Sequence, residues 1–277
     1  MSWTTPAAKD LRDALYDGAL VRLPPVEASH ALVRRARALL EAELGPAPRE
    51  AVHHLPNAEL FTRLGRVRKA LYLDPQALLE LADLLHQHGL NPHDWAVDPA
   101  RMRVVHPHGE EVPAAAAVYA VHRDTWYGHP PALVTWWIPL DDLPPEETFE
   151  FWPDYLRKPV PNDSEVFDYD DWVSRGWSLK IGWQDPEAGL KARYPGFLGD
   201  RADLGPGVGF AAQAAESRLF AGGHLHATRP HAGARTRFSL DFRVAHLGDV
   251  AAGRGAPSVD DRSRGSSVPD YQRLPPR

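Results

Sequence analysis

The feature that most restricts this chain is a change of period near Arg101. Before it, apolar side chains recur at helical spacing; after it, they come in short runs broken by Pro and Gly. Ser29 is placed as the N-cap of a helix through Leu32, Val33, Ala36, Leu39, Leu40 and Leu44, stopped at Gly45. Glu59 to Leu73 reads as a second amphipathic helix. Asp74-Pro75 then opens a third, whose Leu78, Leu81, Ala82 and Leu85 form one stripe ending at Gly89.

Strands are expected over Arg101–His106, Ala114–Val121, Leu133–Leu140, Thr148–Trp152, Trp177–Trp183, Val208–Gln213, Ser217–Ala221 and Arg235–Val244, with a short helix over Asp168–Arg175. Short strands at this spacing predict a mainly β chain, a sandwich or open barrel packed on N-terminal helices. One domain over 1–247 is expected, with a helical support (1–100) and a β core (101–247). Beyond Leu247 the chain is rich in Gly, Pro, Ser, Arg and Asp, so 248–277 reads as an extended or mobile tail.

Composition narrows the chemistry. A chain of 277 residues buries about three quarters of its unfolded surface and needs no covalent staple. There is no cysteine, which excludes disulfides, thiolate metal sites and a cysteine nucleophile together. Any metal must be held by His, Asp and Glu. Acidic side chains outnumber basic ones, 37 to 31, for a net charge of −6, which argues against a nucleic-acid partner. No apolar stretch has membrane-spanning length, and MSWTTPAAKDLRDAL lacks a signal core, so a cytoplasmic protein without a membrane partner is expected.

The stretch Ala120–Gly128, AVHRDTWYG, puts His122 and Asp124 two residues apart, on one face if extended. Together they are two legs of a 2-His-1-carboxylate triad. Such a pair is weak alone: with 14 histidines, roughly two HxD or HxE matches arise by chance. His108-Gly109-Glu110 is one competitor, set in a Pro/Gly turn with no strand to deliver it. The third leg lies far down the chain, in LFAGGHLHATRPHAGARTRFSLDFRV (219–244), which holds His224, His226 and His231. Beyond them Arg235, Arg237, Ser239, Asp241 and Arg243 alternate with Phe238, Leu240 and Phe242. The polar set is either the solvated side of an edge strand or the wall of a site. Arg235, Arg243, Arg103 and His106 are accordingly either surface groups or contacts for an acidic substrate.

At these residues the chain resembles the iron(II)/2-oxoglutarate-dependent oxygenases, in particular the branch related to phytanoyl-CoA dioxygenase. The resemblance covers roughly Arg101 to Val244. It implies a double-stranded β-helix, the jelly-roll of cupin-like proteins, with His122, Asp124 and His226 as iron ligands. It implies that Arg237 and Ser239 bind 2-oxoglutarate, with Thr135 a further candidate. His226 is preferred to His224 because Ala-Thr-Arg-Pro follows it, similar to the family's His-Gly-Ser-x-Pro. Trp137-Ile138-Pro139-Leu140-Asp141-Asp142 is similar to the family strand after HxD, whereas EFWPDY stands where PGSH commonly follows. Related halogenases carry Gly or Ala in place of the carboxylate, so Asp124 points to hydroxylation, desaturation or ring formation. Trp126, Tyr127, Trp137 and His224 are candidate substrate-pocket residues, and the expected substrate is a small molecule of specialised metabolism. Two rivals remain open: a cupin-type metal enzyme with no use for Arg237, and a non-catalytic β-rich small-molecule binding protein.

Overall fold

The computed structural model describes residues 3–112, 116–176 and 194–275. Helix accounts for about 41% and strand for about 21%. The chain is thus a helix-plus-antiparallel-sheet structure rather than a mainly β one, because 3-10 turns fill many connections expected to be extended.

Four helices open the chain: α1 (Leu11–Tyr16), α2 (Glu27–Leu44), α3 (Asn57–Tyr72) and α4 (Pro75–Gln87). The Asp74 side chain accepts from the Gln76 N–H and caps α4 ahead of Pro75, as its sequence requires. Ser29 is not the N-cap of α2. It lies one turn inside, where its hydroxyl accepts from the Val26 N–H (3.0 Å) and donates to the Val26 carbonyl.

The main sheet has six strands in the order β1-β5-β3-β7-β2-β8. These are β1 (Val21–Leu23), β2 (Trp95–Val105), β3 (Leu133–Pro139), β5 (Ser217–Ala221), β7 (Arg237–His246) and β8 (Gln272–Arg273), all antiparallel. β2 starts six residues earlier than its sequence pattern suggests. Pro99 breaks the alternation, but a register shift between Asp98 and Arg101 absorbs it without ending the strand.

Alternation divides this sheet into two faces. Phe238, Leu240, Phe242 and Val244 of β7, with Trp136 and Ile138 of β3 and Met102 of β2, pack against Leu32, Leu40, Leu64 and Leu81 of the helices. Trp136 and Phe242 stack with centroids 5.7 Å apart; burying a ring of this size contributes about 1.5–3 kcal/mol. The opposite face carries Arg237, Ser239, Asp241 and Arg243. Because β7 lies between β3 and β2, this polar face is interior, and Arg243 is no surface arginine.

A second, two-stranded sheet, β4 (Phe149–Phe151) and β6 (His226–Thr228), packs over that face. Phe149 and Phe151 meet Phe220 of β5, and Phe149 also meets Trp137 of β3. His226 therefore starts a strand roofed by aromatic rings.

Other expectations change. Ala116–Tyr119 forms a 3-10 turn instead of continuing a strand, since an alanine-rich run without alternation carries no β signal; Ala114 and Ala115 of that stretch lie outside the described residues. The strand expected over Trp177–Trp183 also lies outside the described residues. Val208–Gln213, interrupted by Gly209, makes only isolated bridges through Val208 and Ala212. α5 (Tyr169–Gly176) forms as expected. The tail is a correction: α6 (Leu247–Ala252) follows β7, β8 pairs with β2, and the stretch between is tied down by side-chain hydrogen bonds. Its Asp260 and Ser267 side chains, which read as solvated, make two of those bonds, and the Arg262 backbone N–H makes the third. Among the described residues no helix is long and apolar enough to cross a membrane.

Candidate metal centre

His122, Asp124 and His226 offer ligand atoms that all lie within 4.8 Å of one another. Two backbone bonds, His122 N–H to His226 C=O and the reverse, both 3.0 Å, fix the two histidines opposite each other. Their ring centroids are 4.3 Å apart. The chain then turns into a 3-10 segment at Asp124, which brings the Oδ1 of Asp124 to 3.7 Å from the Nε2 of His122.

Each histidine is held by its own backbone. The Nδ1 of His122 lies 2.9 Å from the Ala120 carbonyl, and the Nδ1 of His226 lies 3.0 Å from that of His224. A carbonyl only accepts, so each Nδ1 carries the proton and each Nε2 presents a lone pair. Burial pushes the His122 imidazole down to about 3, with His226 adding to the effect, and burial lowers His226 as well. Both are neutral at neutral pH, the form that binds a metal. For Asp124, burial favours the protonated acid, but Arg243, the two histidines and the Thr135 hydroxyl outweigh it and hold the carboxyl well below its usual range.

Asp124 is gripped on both oxygens: Arg243 Nη2 donates to Oδ1 at 3.2 Å, and the Thr135 hydroxyl donates to Oδ2. The Thr135 hydroxyl is thus bonded to Asp124. A second grouping, His108, Glu110 and Glu111, sits on a largely exposed turn, where acidic groups gather without an ion.

Along β7 from Arg243, Asp241 takes the Arg103 guanidinium at 2.6 Å, and Arg101 meets Asp98 at 2.8 Å. Arg237 differs. It is buried, 5.9 Å above the Trp137 ring, and among the described residues its Nε and Nη1 have no hydrogen-bond partner. Burial lowers its guanidinium to about 10, which leaves it charged at neutral pH. Ser239, two residues along the same face, is fully buried, and its hydroxyl likewise has no partner among the described residues. An unmatched guanidinium and hydroxyl side by side in the interior suit an incoming carboxylate.

The candidate pocket residues separate. Tyr127 lies beside the triad, 5.3 Å from His122, and continues to Phe167 and Tyr194. Trp126 is fully buried in a cluster with Val121, Trp152 and Leu225, its indole N–H bonded to Asp260. Trp137 is the platform under Arg237. His224 is buried against Phe151 and Phe220, and among the described residues neither ring nitrogen has a partner. His106 is buried against the Thr236 hydroxyl, and Arg235 is exposed. Asp98, Arg123 and Asp260 escaped the sequence reading. Asp98 had the one available signal, alternation across the Pro99 bulge.

No protein-family model matches the chain, and no curated protein matches it. Solved structures similar to it include non-heme enzymes. One is the epimerase SnoN in complex with Fe3+, alpha ketoglutarate and nogalamycin RO, at 16% identity over 93% of this chain and 98% of that one (TM-score 0.45). Another is EvdO2 from Micromonospora carbonacea var. aurantiaca complexed with 2-oxoglutarate, at 14% identity over 88% and 93% (TM-score 0.45). A third is the non-heme monooxygenase ThoJ, at 17% identity over 87% and 77% (TM-score 0.42).

Proposed function

We propose that the protein is a non-haem iron(II)/2-oxoglutarate-dependent oxygenase that oxidises a small molecule at a C–H bond. The observation that carries this reading is the pair of unpartnered groups, the Arg237 guanidinium and Ser239 hydroxyl, buried on the same strand face as the residue that grips Asp124. A metal enzyme without a 2-oxo acid has no use for a buried, unmatched cation there.

In this reading His122, Asp124 and His226 hold iron through two neutral nitrogens and one carboxylate, a donor set that leaves positions open for co-substrates. Arg237 and Ser239 take the distal carboxylate of 2-oxoglutarate, with Trp137 as the apolar floor under the guanidinium. The six-stranded sheet and the β4–β6 pair are the two faces of a jelly-roll, and the site lies between them. When bound, iron supplies the redox chemistry that couples O2 and 2-oxoglutarate to succinate, CO2 and a two-electron oxidation of the substrate.

The chain's own residues fix and shield. Arg243 and Thr135 keep Asp124 ionised and oriented, the backbone carbonyls of Ala120 and His224 set the histidine tautomers, and the Phe149, Phe151 and Phe220 rings exclude water on the His226 side. Tyr127 and Phe167 stand where a substrate would approach. Hydroxylation, desaturation and ring closure are the outcomes compatible with a retained Asp124. The test is succinate release from 2-oxoglutarate with iron(II) and O2, alone and with a panel of small metabolites. Slow release by the wild type, lost in His226→Ala, is expected; 2-oxoglutarate left unconsumed in every mixture would overturn the reading.

A further inference from the structure

Arg123, the residue between His122 and Asp124, points away from the triad and is completely buried. Each of its three nitrogens donates a hydrogen bond. Its Nε faces both oxygens of Asp260 (3.0 and 3.2 Å), Nη1 donates to the Gly223 carbonyl, and Nη2 donates to the Tyr155 and Lys158 carbonyls at 2.8 and 2.9 Å. Gly223 lies three residues before His226. One guanidinium therefore touches the turn that carries His122 and Asp124, the turn that delivers His226, and the C-terminal segment.

Asp260 is the other half of the device. Beyond Arg123, its Oδ1 accepts from the Trp126 indole N–H (2.9 Å) and its Oδ2 from the Val160 N–H (2.9 Å). Its carbonyl accepts from the Asn162 amide. A separate contact supports the same docking: a Cβ on Gly223 would lie 2.3 Å from the Pro257 carbonyl, so the C-terminal segment runs directly over the turn before His226. Removing Asp260 would leave a buried guanidinium uncompensated and two further donors, the Trp126 and Val160 N–H groups, without their acceptor.

We infer that Arg123 and Asp260 are positioning residues, a clasp by which the C-terminal segment holds the two histidine-bearing turns in register. What that register serves, metal binding, rests on the function proposed above; the register itself is visible in the paired His122 and His226 amides. The C-terminal segment has a second anchor to serve as a control. Asp249 accepts from Arg12, Tyr16 and Arg254, bonds that tie α6 to α1 and not to the triad turns.

The test is amide hydrogen exchange on the metal-free full-length protein, with Ni(II) affinity measured alongside. Asp260→Asn and Arg123→Lys are expected to speed exchange at the His122 and His226 amides about tenfold relative to the amides of the six-stranded sheet, while Asp249→Asn leaves those two within about twofold of wild type. Ni(II) is expected to bind about tenfold more weakly to the two clasp variants. Wild-type exchange at both amides in both clasp variants, or equal acceleration by Asp249→Asn, would overturn the inference. A wild type that binds no Ni(II), yet shows the expected exchange pattern, would sink the metal reading and leave the clasp standing.

Discussion

Arg243 and Asp124 meet at 3.2 Å in the interior, a guanidinium against one oxygen of a carboxylate whose other oxygen takes the Thr135 hydroxyl proton. The two residues are 119 apart in sequence and come together because β3 and β7 pair Thr135 with Arg243 in register. The carboxylate is thereby oriented and ionised within the fold, at the cost of burying a second charge. Arg243→Met removes that support and is expected to weaken divalent-metal binding about 10- to 100-fold. Calorimetric titration with Ni(II) reads this directly; an unchanged affinity would mean that Asp124 needs no such partner.

Thr135 separates metal support from co-substrate binding. If its hydroxyl serves Asp124, Thr135→Val costs roughly 1 kcal/mol of metal affinity and leaves 2-oxoglutarate affinity of the metal-saturated protein unchanged. A selective loss of 2-oxoglutarate affinity would return Thr135 to the co-substrate site.

Arg237 should be a liability without its ligand. A buried guanidinium with two unpartnered nitrogens destabilises the fold, so Arg237→Met is expected to stabilise the ligand-free protein by on the order of 1–3 kcal/mol. The same variant should lose the extra stability that 2-oxoglutarate gives the metal-loaded wild type. Urea midpoints with and without 2-oxoglutarate measure both; a destabilised variant that still responds to 2-oxoglutarate would contradict this role.

Stability should fall in mild acid, in part through groups away from the triad. Burial pushes His106 and His88 from an ordinary value of 6.5 down to about 4. Between those values the unfolded chain takes up protons that the folded chain refuses. Stability contributed by the neutral rings is therefore whole above 6.5, declines as pH falls, and is gone below about 4. At pH 4.5 the loss is on the order of 2 kcal/mol per ring. His106→Gln should flatten the urea midpoint between pH 7 and 4.5; an unaltered slope would remove His106 from this account.

The sequence carries the site unevenly. His122, Asp124 and His226, which the structure brings together, could be picked out because a short motif survives in one dimension even where the strand expected before it does not form. The meaning of Arg243 could not. Alternation shows that it shares a face with Arg237, but whether that face is wet depends on β7 lying mid-sheet, a property of topology. Trp126 illustrates the opposite error: an aromatic beside a metal-ligand motif suggests a pocket, yet its indole faces Asp260 from a segment that reads as a mobile tail. A polar, Pro- and Gly-rich composition does not distinguish solvated chain from chain whose polar groups each find a buried partner.

The central claim is that one site joins the His122–Asp124–His226 triad to Arg237. Anaerobic addition of iron(II) and 2-oxoglutarate to the metal-free protein tests it most directly. A weak visible charge-transfer band is expected in the wild type, absent in His226→Ala and in Arg237→Ala at matched ligand concentrations. A band that persists in Arg237→Ala would contradict the co-substrate assignment, and a wild type without a band would contradict the site as a whole.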